Sequence, residues 1–199
     1  ELPEVIDYAF KIANHGKKGV VHIDLPKCVT SGQFTRNEFS NKIKNELIKK
    51  TIYGNIPIYR DRNIINIAHK IDRSKKPVLY LGQGANESFY LIRALMKKTD
   101  IPATTTIHAM GIVDENDDAS LEMVGMHGSA YANYTIQNAD CIIAIGSRFD
   151  DRTTGNLEKY APNAKTIIHC NIEESEIDNV VKSTYSIRED AEKFLSKLI

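Results

Sequence analysis

Apolar residues recur at helical spacing over residues 2–14, a pattern that predicts an amphipathic helix. Pro3 falls in its first turn, where a missing N–H leaves no hydrogen bond unmade. Residues 19–25 (GVVHIDL) are mostly apolar and are followed by Pro26, which predicts a short strand. A helix, a turn and a strand together make half of an α/β unit.

The periodicity ends between residues 27 and 59, where Thr, Ser, Asn and Lys dominate in stretches such as NEFSNKIKNELIKK. This composition is typical of a solvated segment between domains rather than of a core. We therefore predict three parts: residues 1–30 as the tail of a preceding domain, residues 31–60 as a linker, and residues 61–199 as a domain of their own.

Strand and helix patterns alternate through residues 61–199. A first helical stripe contains four apolar residues: Ile64, Ile65, Ala68 and Ile71. Strands are predicted at residues 77–81, 102–105, 141–145, 166–170 and 185–187. Further helices are predicted at residues 88–98, 129–137 and 190–199, the last capped by Asp190, and a long loop separates residues 105 and 129. The alternation predicts an α/β fold with a doubly wound, mostly parallel, Rossmann-like sheet and helices on both faces.

The amino-acid composition argues against several classes of function. The chain has 26 basic and 26 acidic side chains, so it carries no net field that would attract nucleic acid or an anionic membrane. No stretch approaches the roughly 18 apolar residues of a membrane span. The first residues lack the basic and apolar regions of a signal peptide. Three widely spaced cysteines indicate free thiols in a reducing compartment.

Ligands of a doubly wound sheet bind beyond the carboxyl ends of its strands. The segment LYLGQG places Gly82 and Gly84 directly after the first such strand, but Glu87 stands where the third glycine of a dinucleotide fingerprint belongs. Either a phosphate-binding turn or a tight structural turn is compatible with this pattern. The acidic residues 114–118 imitate half of a calcium loop, but the required glycine and closing glutamate are missing, so we predict no metal.

Two further loops carry unusual residues. In VGMHGS, two glycines bring the backbone close to a ligand just before a helix begins, a favourable place for an anion. In GSRFDDRTTG, two arginines and two aspartates follow the most apolar strand of the chain. Such charges are costly to desolvate unless they pair with one another or with a charged ligand. Both alternatives, a salt-bridge cluster and an anion site, remain open from the sequence.

The ordered segments LYLGQG, PATTTIHAMG and VGMHGSAYANYTIQNADCIIAIGSRFDDRTTGNLEKYAPNAKTIIH resemble the central domain of acetolactate (acetohydroxyacid) synthases. The MHG and RFDDR elements at this separation carry most of the resemblance. GKKGVVHIDLPK is similar to the stretch that ends the preceding, pyrimidine-binding domain of that family. The resemblance covers nearly the whole chain and is weakest in the linker.

The resemblance implies an enzyme that condenses two 2-keto acids, pyruvate with pyruvate or 2-ketobutyrate, on thiamine diphosphate and Mg2+ in branched-chain amino acid biosynthesis. The catalytic glutamate and the diphosphate-Mg2+ motif belong to flanking domains, so these 199 residues are expected to hold no catalytic residue and to be inactive alone. The family also implies a homo-oligomer, a possible regulatory subunit, and a location in bacterial cytoplasm, a plastid or a mitochondrion.

In this family the central domain binds FAD, which is mainly structural. Carried over by matching motifs, the expected FAD contacts are Lys17, Gly82, Gly84, Thr106, Ile107, Val124, Gly125, Met126, His127, Gly146, Ser147, Arg148, Asp150, Arg152, Asn171, Ile172 and Asp190. The resemblance also places four residues beside the substrate channel and inhibitor site: Lys27, Met126, Asp151 and Arg152.

Three residues depart from the family pattern. Lys17 replaces an arginine, Asn171 replaces an aspartate, and Glu189 replaces a glycine. Lysine lacks the forked donor geometry of arginine, asparagine cannot accept as an aspartate does from two ribose hydroxyls, and a glutamate adds negative charge near a phosphate. These changes keep two alternatives open: a stand-alone Rossmann-like module or NAD-dependent enzyme, and a degenerate structural domain that binds no flavin.

Overall fold

A computed structural model describes residues 2–32 and 62–199, and these two ranges belong to different compact units. In the first unit, helix α1 spans Leu2–Ala13 and the short helix α2 spans Lys27–Thr30. The predicted strand at residues 19–25 is wrong. A strand needs a neighbour to complete its hydrogen-bond ladder, and the described residues of this unit provide none; Val20 is fully exposed. Most of the predicted linker lies outside the described residues.

The second unit alternates strands and helices, as predicted. Its strands are β1 (Pro77–Leu81), β2 (Ala103–Thr105), β3 (Ser120–Met123), β4 (Cys141–Ile145), β5 (Thr166–Asn171) and β6 (Tyr185–Arg188). Its helices are α3 (Arg62–Asp72), α4 (Phe89–Thr99), α5 (Ala130–Asn138), α6 (Asp151–Thr154) and α7 (Ala191–Leu198). Short 3-10 turns connect several of them. None of the helices in the described ranges is long and apolar enough to cross a membrane.

The strands form one parallel sheet in the order β3-β2-β1-β4-β5-β6. The predicted doubly wound α/β class is confirmed. The chain winds outward in one direction from β1 and in the other from β4, so the order reverses between these two central strands. In such sheets the loops that leave the reversal point diverge and open a crevice for ligands. The loops after Leu81 and Ile145 leave the sheet at this reversal point.

Alternate residues of each central strand enter different cores, because successive side chains of a strand point to opposite faces. Along β4, Ile143 and Ile145 pack with α3, α4 and α7 on one face. Ile142 and Ala144 pack with α5 and the following turns on the other. Burial on both faces explains why β4 is a continuous apolar run.

Two details of the pattern were predicted incorrectly. Strand β3 lies within the segment predicted as a long loop; it is an edge strand with only half-buried and exposed residues, so its sequence lacks an apolar run. On α3, Ile67 is buried whereas Ile65 is exposed. The helix therefore packs through a stripe that includes Ile64, Ile67 and Ile71, at spacings of three and four.

Asp178 organises the loop between β5 and β6. Its carboxylate accepts hydrogen bonds from the Ser183 amide at 2.7 Å, the Ser183 hydroxyl at 2.7 Å and the Ser186 hydroxyl at 2.8 Å. Burial acts to raise the pKa of Asp178, but these hydrogen bonds outweigh it and the pKa is lowered. The loop is therefore stabilised by the ionised form of this side chain.

The free energy of unfolding should depend on Asp178 in acid. Because its folded pKa is depressed, its contribution is present above the unfolded value of about 3.9 and is lost as pH falls through the folded pKa. Asp178→Asn should therefore unfold with a flatter pH dependence below about pH 4, measured by denaturant titration. Asparagine tolerates the left-handed backbone of this position (φ 57°). Asp118→Asn, on an exposed turn, is the control; an acid slope unchanged by Asp178→Asn would contradict the assignment.

Candidate functional site

Three glycines bring the loops after β1 and β4 into backbone contact at the reversal point. The Gly84 amide donates to the Gly146 carbonyl at 3.1 Å, and the Gly82 amide donates to Ile145 at 2.9 Å. A Cβ on Gly82 would lie 2.2 Å from the Gly146 oxygen, and one on Gly84 would lie 2.9 Å from the Gly146 Cα. Gly146 itself has φ 62°. Only glycine leaves enough space for the two loops to be in contact at these positions. The GQG turn therefore has a structural role.

The loop after β4 is anchored by an aromatic side chain that the sequence analysis overlooked. Phe149 is fully buried although its neighbours in the RFDDR segment are charged. Its ring contacts three others, at centroid distances of 5.1 Å to Tyr80, 6.1 Å to Tyr160 and 5.0 Å to His169. Its backbone has φ 56°, an uncommon conformation for a bulky residue. Packing therefore holds the loop in a conformation that local preference disfavours.

The charged residues of this loop divide into structural and available groups. Asp150 is the N-cap of α6: one carboxylate oxygen accepts from the Thr153 amide at 3.0 Å and from the Thr153 hydroxyl at 2.8 Å. Arg152 lies 4.0 Å from Asp151, and both side chains are largely exposed, so the pair stabilises little. Arg148 is exposed and forms no ion pair with the residues that the structure describes. A salt-bridge cluster thus does not hold the loop, and both guanidinium groups remain accessible.

The MHG turn is joined to the same loop. The Met126 amide donates to the Arg152 carbonyl at 2.8 Å. Gly125 has φ 116°, and a Cβ there would lie 2.8 Å from the Arg152 oxygen. Asn133 of α5 fixes the turn from behind, since its side chain accepts from the Gly125 amide and donates to the Gly125 carbonyl. The two most specific motifs of the sequence therefore form one surface.

Residues at the end of β5 hold the first part of the loop. The Ser147 carbonyl accepts from His169 Nε2 at 2.9 Å and from Asn171 Nδ2 at 2.8 Å. All three residues are buried. Burial lowers the pKa of His169, so the imidazole is neutral near pH 7. This contact between β4 and β5 joins two predicted site residues, Ser147 and Asn171, through a histidine that sequence reasoning gave no role.

Several other predicted site residues line the same carboxyl edge of the sheet. Thr106 is half-buried after β2, and Ile107 beside it is 65% exposed. Val124 is buried, whereas Met126 is 64% exposed and His127 is also exposed. Exposed apolar side chains beside exposed arginines form a surface suited to a ligand that has both flat and anionic parts.

Other predicted residues lie at the margin of this surface or apart from it. Ile172 is partly exposed directly after β5. Asp190 is the N-cap of α7 and accepts from the Glu192 amide at 2.9 Å, as the sequence predicted for the cap. Lys17 follows α1 and Lys27 begins α2, both in the first unit. Their predicted roles in cofactor and channel binding stay predictions.

Glu189, the residue expected to oppose a phosphate, has a partner. Lys197 of α7 donates to its carboxylate at 2.7 Å, and the Glu189 side chain is only 18% exposed. The lysine offsets the negative charge at the end of β6. We therefore expect this glutamate to oppose a nearby anion less than its charge alone suggests.

The sequence is similar to a known protein family and to several characterised enzymes. The family described as thiamine pyrophosphate enzyme, central domain, matches residues 64–198. The chain is 39% identical over 213 residues to the mitochondrial acetolactate synthase catalytic subunit of Saccharomyces cerevisiae, which covers 100% of this chain and 31% of that protein. It is 37% identical over 199 residues to acetolactate synthase isozyme 1 large subunit of Escherichia coli, covering 100% of this chain and 34% of that protein. The chain thus spans about a third of the length of these relatives.

Proposed function

Because the chain belongs to the family of thiamine pyrophosphate enzyme central domains, we propose that it is the FAD-binding central domain of an acetolactate synthase. The full protein would condense two 2-keto acids on thiamine diphosphate and Mg2+ held by flanking domains of the same chain. In this proposal residues 1–30 are the end of the pyrimidine-binding domain and residues 31–60 are the linker. The central domain alone is expected to form no acetolactate.

The observation that carries the FAD proposal is the exposed arginine at the reversal point of the sheet. Arg148 stands on a loop fixed by Phe149 and by the Ser147 carbonyl contacts, where its guanidinium meets no carboxylate among the described residues. An exposed guanidinium on a fixed backbone favours the oxygens of a diphosphate, which it can bind in forked geometry. Ile107, Met126 and Ile172 offer exposed apolar surface for a flat ring system. The residues present therefore fit a flavin dinucleotide.

Other parts of the proposal rest on the relatives. Two of them are named as the mitochondrial enzyme of Saccharomyces cerevisiae and a chloroplastic acetolactate synthase of Oryza sativa, and a third comes from Escherichia coli. All three cysteines are free, with Cys141 and Cys170 buried, which supports a reducing intracellular compartment. We propose a homo-oligomer with a possible regulatory subunit, and we assign no nucleic-acid or membrane partner.

Replacing Arg148 tests the placement of the diphosphate. Arg148→Ala should weaken FAD binding by about 1.5–3 kcal/mol, the range for a hydrogen bond to a charged group. Arg73→Ala is the matched control, because Arg73 precedes β1 and lies at the opposite edge of the sheet. Isothermal titration calorimetry of the purified protein measures both. Unchanged affinity in Arg148→Ala would place the diphosphate elsewhere.

The alternatives differ in which ligand binds. Titrating the same protein with FAD and with NAD separates them, together with flavin absorbance of the purified protein. FAD binding supports the proposal, binding of NAD alone supports a stand-alone nucleotide-binding module, and no binding supports a purely structural domain. The broken dinucleotide fingerprint at Glu87 speaks against NAD.

A further inference from the structure

The carbonyl of Ser147 is the point at which β5 controls the loop that carries Arg148. It accepts two hydrogen bonds, from His169 at 2.9 Å and from Asn171 at 2.8 Å, which use both of its lone pairs. Because Ser147 is itself 2% exposed, water cannot replace these donors readily. This carbonyl belongs to the peptide bond that joins Ser147 to the exposed Arg148. Its direction therefore fixes the backbone orientation at which Arg148 begins.

Elementary hydrogen-bond chemistry fixes the state of both donors. A carbonyl only accepts, so His169 carries its proton on Nε2, and burial keeps the ring neutral. The Asn171 amide is oriented from both ends: Nδ2 donates to Ser147, while Oδ1 accepts from the Glu173 amide at 3.0 Å. An aspartate at this position could keep the bond from Glu173 but would turn an acceptor oxygen toward the Ser147 carbonyl.

We infer that His169 and Asn171 are positioning residues for Arg148, and that Asn171 acts through the Ser147 carbonyl rather than as a direct ribose contact. Only the measurement of FAD affinity depends on the proposed FAD site. The positioning role itself can be tested without a ligand. The asparagine is then not a weakened version of the aspartate usual in the resembled family. It replaces a group that accepts from a ligand with a group that donates to the loop.

The test compares Asn171→Asp with Asn138→Asp in the purified protein. Asn138 also donates its amide to a backbone carbonyl, that of Tyr134 at 2.9 Å, but it lies at the end of α5. Hydrogen exchange without any ligand is measured at the amides of Met126 and Thr153, which are bonded to or within the loop. Asn171→Asp should accelerate their exchange about tenfold and raise the Kd for FAD about tenfold, the effect of losing one buried hydrogen bond. Asn138→Asp should change neither quantity.

Substitutions of His169 give a second measurement. The Nε2 of glutamine can occupy the place of the imidazole Nε2, so His169→Gln should keep slow exchange and near-normal FAD affinity, whereas His169→Leu should lose both. In the parent protein, 15N chemical shifts should identify the Nε2–H tautomer of His169. A parent that binds no FAD would overturn the proposed function, while the exchange and tautomer results would still decide the positioning role. Unchanged exchange in Asn171→Asp, or an Nδ1–H tautomer, would overturn that role.

Discussion

Phe149→Ala is expected to destabilise the second unit by about 3–5 kcal/mol, the largest effect of any side-chain truncation in the loop after β4. The ring is fully buried and touches Tyr80, Tyr160 and His169, so its removal leaves a cavity lined by three rigid rings. It also removes the contact that maintains φ 56° at this residue. Denaturant unfolding followed by tyrosine fluorescence and circular dichroism measures the change.

Phe89→Ala provides the comparison, because Phe89 begins α4 with its side chain 46% exposed and should lose far less stability. The parent, Phe149→Ala and Phe89→Ala should also be titrated with FAD. If the proposed site is correct, Phe149→Ala should lose most of its FAD affinity, because Arg148 no longer leaves from a fixed backbone. A stability loss below about 1 kcal/mol would mean that neighbouring side chains fill the space left by the Phe149 ring. The ring would then not be what anchors the loop.

The parallel sheet was predictable because its central strands are buried on both faces. β1 and β4 are short apolar runs bounded by turn residues, a pattern typical of the inner strands of a parallel sheet. β3 (SLEM) escaped prediction because an edge strand with one solvated side needs no apolar run. Residues 19–25 have a convincing strand composition, yet composition does not supply the neighbouring strand that a ladder requires.

The site was predictable at the level of segments but not of contacts. Strand ends, glycines and paired charges directed attention to the loops after β1 and β4, where the structure has its reversal point. The sequence could not show which residues of RFDDR are structural and which are exposed, because this depends on contacts with residues far away in the sequence. Phe149 is buried by Tyr80 and His169, and Ser147 is held by a residue 24 positions later. The sequence offered one neglected signal, an aromatic residue between charges at a strand end.

Gly82→Ala should destabilise the second unit by about 3 kcal/mol or more, at the upper end of overpacking effects. The added Cβ would lie 2.2 Å from the Gly146 oxygen and 2.4 Å from the Ser147 Cα, and both atoms belong to backbone that cannot rotate away. Relief requires the loops after β1 and β4 to separate, although β4 is also paired to β5 and its loop is pinned by Phe149. Stability is measured by denaturant unfolding.

Gly155→Ala separates this effect from the usual cost of replacing a glycine. Gly155 combines φ 58° with ψ −127°, a conformation that is essentially restricted to glycine, but no atom lies within 4 Å of an added Cβ, so alanine there should cost about 1–3 kcal/mol of backbone strain alone. At Gly82 the situation is reversed. Its backbone conformation (φ −107°) is allowed for any residue, but neighbouring backbone atoms leave no space for a Cβ. Gly82→Ala should therefore lose more stability than Gly155→Ala and, because it displaces Ser147, should also lose FAD affinity. If Gly155→Ala proved the more damaging of the two, backbone conformation rather than the close approach of the two loops would limit this site.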